Sequence, residues 1–402
     1  MVDEIKKELC TGCNACLNVC PKQCISMLSD TKGFWYPSIN RSCCIECNLC
    51  DKICPSINPI IIDNWIDPEI YAAWTLDDEI RFKSTSGGIF SELAKYVIGQ
   101  NCVVVGAKYN YQHMVEHYMV EKEEDIALLR QSKYLQSDID TIFKKIKNKL
   151  LTGKFVAFCG SPCQVAGLLN FLQQPFENLI TFDFVCKGAN SPKVYAKYLD
   201  WLEEKYHSKI KKVWFKNKTY GWNLFSTKIL FENNKVYIKD RNSDLYMKGY
   251  IEKNLFIRDC CFDCHYKTFP RVADITLADF WGVGMADKDL DPDKGTSLIM
   301  INSEKGKALF NSIHSSIFHK KMQLADAIAG NGCIYNSIEK DPSSDMFFEN
   351  LDKIHFYKLM QKYCADTVLL RLKRKTGRIL SKIKKVIKSL IFGFQNDKKA
   401  LK

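Results

Sequence analysis

The sequence predicts an α+β protein in three parts: a short cysteine-rich module, an α/β body and a helical basic tail. Three observations carry that prediction. Ten of the 19 cysteines fall within the first 54 residues, apolar runs of strand length alternate with helix-period segments from about residue 70 to 330, and the net charge of +12 is concentrated at the carboxyl end. At 402 residues the chain has room for two or three domains with hydrophobic cores of their own. Composition sets residues 1–60 and 331–402 apart from a body between them.

The first module is an internal repeat with a 34-residue offset: Cys10, Cys13, Cys16 and Cys20 map onto Cys44, Cys47, Cys50 and Cys54, and Pro21 and Pro55 follow. Each run reads C-x2-C-x2-C-x3-C-P, the spacing of bacterial ferredoxins, in which three thiolates wrap one cubane and the fourth reaches to the other. Cys54 is therefore expected to complete the [4Fe–4S] cluster of Cys10, Cys13 and Cys16, and Cys20 that of Cys44, Cys47 and Cys50. A pair of zinc sites is the competing reading, but zinc takes its four ligands as two pairs, which a duplicated eight-cysteine run ending in proline does not provide. Cys24 and Cys43 lie outside the register and are expected to be buried small hydrophobes. Between the runs, ISMLSDTKGFWYPSIN predicts a hairpin turning at Asp30-Thr31-Lys32-Gly33, and Pro55, Pro59 and Pro68 mark the linker beyond.

In the body, strands are expected at Cys102–Tyr109, Phe155–Cys159, Leu179–Cys186, Val213–Lys216, Thr227–Glu232 and Ser297–Asn302, with helices at Ile89–Ile98, Gln164–Leu172 and Pro192–Tyr206. Helices are expected to continue from 322 to 364. A third cysteine constellation sits where strands end. Cys163 follows the strand at 155–159, Cys186 follows the next one, and Cys261 and Cys264 supply a further two-residue spacing. Ligands collect at the carboxyl ends of strands in such sheets. Spacing alone leaves this set open to zinc, a third cubane or no metal, with Cys159, Cys260 and His265 as spare candidates.

From Arg371 to Lys402 twelve Lys or Arg stand against the single Asp397, while Ile379, Ile383, Val386, Ile387 and Leu390 recur at helical spacing. A basic amphipathic helix is expected there, suited to peripheral contact with an anionic membrane or to docking a partner. Charge alone does not make a nucleic-acid site, and none is expected. No run of 18 apolar residues and no secretory signal is read from the sequence, so a reducing cytoplasm is the expected compartment, where dense cysteines point to metal rather than disulfides.

Five motifs follow in order: KSTSGGIFSELA at 83–94, FCGSPCQVAGL at 158–168, DFVCKGANSP at 183–192, CCFDCHYKTFPRVADITLADFWG at 260–282 and DKGTSLIMIN at 293–302. With them the chain resembles the beta-subunit family of coenzyme F420 hydrogenases and dehydrogenases over residues 70–325. Two positions depart from the family pattern: Lys187 stands where a histidine is common, and Ala278 where a glycine usually precedes the DFW motif. The resemblance implies 61–150 and 151–330 as the two halves of a beta subunit. It also implies FAD beside a [4Fe–4S] cluster held by Cys163, Cys186, Cys261 and Cys264, and electron passage between clusters, flavin and F420 or another hydride carrier. Ser86, Gly87 and Gly88, preceding a helix, and Gly160 and Ser161, preceding another, are expected to offer backbone N–H groups to the cofactor's phosphates; an ordinary serine cap is the plain alternative. Asp279 is expected either as a turn cap or as part of the cofactor wall, and no catalytic side chain is assigned. A redox partner protein or subunit is implied. The competing function is a non-catalytic relay subunit that delivers electrons to another enzyme.

Overall fold

In the computed structural model, which describes residues 1–62 and 66–366, the cysteine-rich module is built on an antiparallel hairpin. Strands β1 (Ile25–Ser29) and β2 (Trp35–Ile39) pair from Ile25↔Ile39 to Ser29↔Trp35. The turn closes at the expected residues: Gly33 N–H donates to Asp30 O at 2.9 Å, and Phe34 N–H to the Asp30 carboxylate at 2.9 Å. The duplication is also visible in the backbone. Short helices at Ala15–Val19 and Leu49–Lys52 each start from an asparagine in the left-handed region, Asn14 at φ 61° and Asn48 at φ 56°. Asparagine tolerates that conformation better than other side-chain-bearing residues.

The body is organised by an eight-stranded mixed sheet. Its members are β3 (Glu69–Thr75), β4 (Val103–Tyr109), β5 (Val115–Val120), β6 (Val156–Cys159) and β7 (Leu179–Phe184). A separate three-stranded antiparallel sheet interrupts the sequence with β8 (Ile210–Asn217), β9 (Ser226–Phe231) and β10 (Val236–Asp240). The chain then returns with β11 (Ile275–Asp279), β12 (Ser297–Ile301) and β13 (Ile317–Met322), giving the order β13-β3-β12-β11-β7-β6-β4-β5. The segment β4-β6-β7-β11 is parallel, and the flanking pairs are antiparallel.

Strands of this parallel segment are mostly apolar because both faces are covered, with buried Thr181, Asp183 and Thr276 as the polar exceptions. Helix Ile89–Gly99 lays Ile89, Leu93, Ala94 and Val97 against one face, in one core with Val104, Ala157, Ile180 and Ile299. Helices Ile142–Leu151 and Pro162–Leu172 cover the other, where Phe143, Val165 and Leu168 pack with Val103, Val156 and Phe158. Cys13 and Ala15 of the cysteine-rich module belong to this second core, and Phe34 from the hairpin turn enters a third one built on Pro192–Tyr206 and β8–β10.

All six expected strands form, as do the three expected helices, although the second opens at Pro162 rather than Gln164 because proline is well suited to a first helical position after the Ser161 cap. The region expected to be helical from 322 onward needs correction. Residues 317–322 pair with β3 as an edge strand, and the helices are three short ones at Leu324–Gly330, Ser344–Asn350 and Phe356–Cys364. The basic tail expectation, residues 371–402, lies outside the described residues. No helix among the described residues is long and apolar enough to cross a membrane.

Candidate functional site

Folding of the repeat sorts its eight cysteines into two quartets. Cys10, Cys13, Cys16 and Cys54 line one small cavity, and Cys20, Cys44, Cys47 and Cys50 line another, so the fourth cysteine of each run crosses to the other quartet. The first quartet is deep: burial pushes the Cys13 thiol up to about 12 and raises Cys16 as well. The second lies nearer the surface, with Cys47 exposed. Cys24 is buried, but it also touches this quartet, its Sγ 3.3 Å from that of Cys20. Cys43 contradicts the expectation of burial: it is exposed, its thiol turned to the Asn40 carbonyl on a loop that leaves nothing to cover it.

The third set is drawn from three chain segments. Cys163 begins the helix after β6, Cys186 follows β7, and Cys261 and Cys264 come from the loop before β11. All four line a single larger cavity of about 540 Å³ at the carboxyl ends of the parallel strands. The thiols of Cys163 and Cys186 are pushed up chiefly by burial and further by the other cysteines of the set, and Cys261 is lowered to about 7 by hydrogen bonding from the adjacent Cys260. Ser161 Oγ lies 3.2 Å from Cys163 Sγ, and the Ala189 N–H donates to Cys261 Sγ at 3.5 Å. Cys159 and His265 also reach this cavity. Among the described residues, no group of three or more His, Cys, Asp or Glu side chains is close enough to hold a single metal ion. Each set instead lines a cavity with four cysteines, and four soft thiolates are the donor set a cubane takes.

The quartets adjoin one another. Helix Pro162–Leu172 carries Cys163 at its start and presses Gly167 against Cys13, where an added Cβ would meet the Cys13 Cβ and Sγ at 2.9 Å each. Tyr266, two residues beyond Cys264, has its hydroxyl 3.5 Å from the Pro55 carbonyl, and both Cys13 and Cys163 contribute to raising its pKa, after burial.

From the third quartet the cavity extends over Ser86, Gly88, Gly160, Ser161 and Asp279, so five of the six residues expected at a cofactor form its wall. Their roles differ from the expected cradle. Gly87 points into the sheet, its N–H donated to Ser297 Oγ at 2.9 Å. The Gly160 N–H donates to Phe182 O, and the Ser161 N–H to Gln164 Oε1 at 2.9 Å, closing a helix cap. Asp279 caps no turn: it holds the buried Lys216 ammonium with one oxygen and the Trp222 indole N–H, at 2.9 Å, with the other. Trp222 in turn stacks on Trp281, with ring centres 4.6 Å apart and planes within 4°.

Sequence reasoning missed the cations of this wall. Lys216 lies 4.8 Å from the Trp281 ring centre, and Arg241 5.6 Å from it. Burial lowers the Lys133 ammonium to about 7, although its three N–H groups donate to the carbonyls of Leu129, Arg130 and Gln131. No local pattern announced these residues, since a basic residue among other exposed basic residues gives no sign of its burial. Volume, aromatic faces and cations together suit an anionic cofactor with a planar ring, and the volume falls within the roughly 300–1,000 Å³ usual for small-molecule sites.

A ferredoxin-like 4Fe–4S module joined to a mixed α/β body defines an iron–sulfur electron-transfer oxidoreductase. Family comparisons bear on each part. Residues 9–58 match the 4Fe-4S dicluster domain. Residues 70–144 match the amino-terminal model, and residues 153–326 the carboxyl-terminal model, of the beta subunit in coenzyme F420 hydrogenases and dehydrogenases. The chain belongs to the coenzyme F420 hydrogenase/dehydrogenase beta-subunit family. No curated protein matches it. Among solved structures, a chain of the F420-reducing [NiFe] hydrogenase complex from Methanosarcina barkeri is similar at 18% identity and a TM-score of 0.45, over 75% of this chain and 94% of that one.

Proposed function

We propose that the protein is an iron–sulfur flavoprotein oxidoreductase that carries electrons through three [4Fe–4S] clusters to FAD and on to F420 or another hydride carrier. The observation that carries this reading is the continuity of the interior: the third quartet forms one end of the cavity whose other walls bear Trp281, Lys216 and Arg241, and helix Pro162–Leu172 links that quartet to Cys13. A flavin, when bound, supplies conversion between one-electron traffic and two-electron hydride transfer. The chain's own residues hold the third quartet at one end of the cavity, orient an anionic ligand by Lys216 and Arg241, and offer a flat face at Trp281. The second quartet, with Cys47 exposed, is the natural point of entry from a redox partner, a role consistent with membership in a family of subunits.

The test is turnover. Reconstituted protein reduced with dithionite under anaerobic conditions is mixed with F420 or with a nicotinamide cofactor, with and without added FAD. Bleaching of the F420 absorbance that requires FAD supports the reading. Clusters that reduce while no hydride carrier is consumed, with FAD not retained, favour the relay role.

A further inference from the structure

Arg258 is wholly buried, the largest charged side chain to be so. Removing a guanidinium from water costs several kcal/mol unless an opposite charge meets it. Yet its partners are Cys10 O at 2.9 Å, Gln136 Oε1 at 3.0 Å, Trp35 O at 3.0 Å and Cys10 Sγ at 3.6 Å, and none of these is a carboxylate. No ion pair to it is formed among the described residues. Its carbon also lies 4.1 Å from the Tyr36 ring centre. Room for this arrangement comes from Gly12, at φ +68°, where a Cβ would meet Gln136 Nε2 at 2.5 Å and the guanidinium carbon at 3.2 Å.

The backbone of the same residue organises the third quartet. Arg258 N–H donates to Ala189 O at 2.9 Å, Cys261 N–H donates to Arg258 O at 3.0 Å, and Ala189 N–H donates to Cys261 Sγ. One residue thus contacts a sulfur of the first quartet with its side chain and fixes a cysteine of the third with its main chain.

We propose that Arg258 is the positioning residue of the electron path, supplying beside Cys10 the positive charge that the first quartet's anionic group requires, and favouring that group's reduced form. This rests on the cluster reading above. Thiolate-ligated iron–sulfur groups are anionic and gain one further negative charge on reduction, so a fixed cation and an N–H donor at a ligand sulfur raise the potential. The step itself is the arrival and departure of one electron, with no bond made or broken.

Two variants change the charge differently. Arg258→Gln removes it, and Gln136→Glu keeps the arginine but places a carboxylate on it. Iron per chain and potentiometric EPR titration resolve the individual clusters. With iron content at the wild-type level, each variant is expected to lower the reduced-to-oxidised ratio of one cluster at least tenfold at fixed ambient potential, about 59 mV for one electron. Arg258→Lys, which retains a cation, is expected to stay within about threefold of wild type. Full iron with that ratio unchanged in Arg258→Gln, or in Gln136→Glu alone if the first variant loses iron, overturns the proposal. A wild-type protein without iron defeats the underlying reading instead.

Discussion

Gly167→Ala sets two effects of opposite sign against each other. In a helix interior, alanine is favoured over glycine by about 1 kcal/mol, so on propensity alone the substitution stabilises. Position 167, however, is where helix Pro162–Leu172 touches the first quartet, and the new methyl would stand 2.9 Å from both Cβ and Sγ of Cys13. The Cβ is fixed by the backbone, and turning the Sγ away would take it out of the first quartet. Cys13 is held in a core with Ala15, Phe143 and Val165, so the helix or the quartet must move. Overpacking of this kind costs about 1–3 kcal/mol, which leaves a net loss of roughly 0–2 kcal/mol once propensity is subtracted. Anaerobic guanidinium titration followed by cluster absorbance and by fluorescence should therefore show the variant unfolding at lower denaturant, with visible bleaching preceding global unfolding. A variant more stable than wild type would refute the claim that this helix bears directly on the cysteines.

Four further outcomes are expected. His117 is held at about 4 by burial, against about 6.5 unfolded; because the folded pKa is the lower one, its contribution is present above pH 6.5 and is lost as pH falls towards 4. Between pH 8 and 5.5 this amounts to about 1.4 kcal/mol, and His117→Phe, which keeps the stack on Phe158, should show a correspondingly smaller loss in denaturant midpoint between those pH values. Arg271→Met leaves the fully buried Asp183 without its partner at 2.9 Å and should cost about 3–5 kcal/mol, most of it recovered in the double variant with Asp183→Leu. Cys163→Ala should remove four irons per chain by chemical analysis, about one cubane, whereas Cys102→Ala, whose cysteine joins no quartet, should remove none. Arg241→Met removes a cation from the cavity wall beside Trp281, and is expected to weaken FAD retention on gel filtration while iron content is unchanged.

Legibility followed sequence distance. The duplicated quartets could be read because their ligands lie two or three residues apart, and the crossing of Cys20 and Cys54 follows from the repeat itself. Of the parallel strands, β4, β6 and β7 were legible from their mostly apolar runs, as at 103–105, whereas β11 was missed because Thr276 and Asp279 interrupt its short apolar stretch. β3 was missed although it is interior to the sheet, because Ala72 and Ala73 fill its tightest contacts and weaken the apolar signal, and β13 was missed because its lysines face solvent at the sheet edge. At the site, the expected phosphate cradle failed at Gly87, Gly160 and Ser161 because their N–H groups satisfy neighbouring strands and a helix cap. Arg258 and Lys216 acquire their roles only through contacts made by the tertiary fold, and Arg258 reaches across 248 residues to Cys10.

Iron, acid-labile sulfide and flavin, measured together per chain on anaerobically prepared protein, test the central claim most directly. Three cubanes and one flavin require about twelve irons, twelve sulfides and one flavin. Protein that is fully folded yet free of labile sulfide would contradict the account.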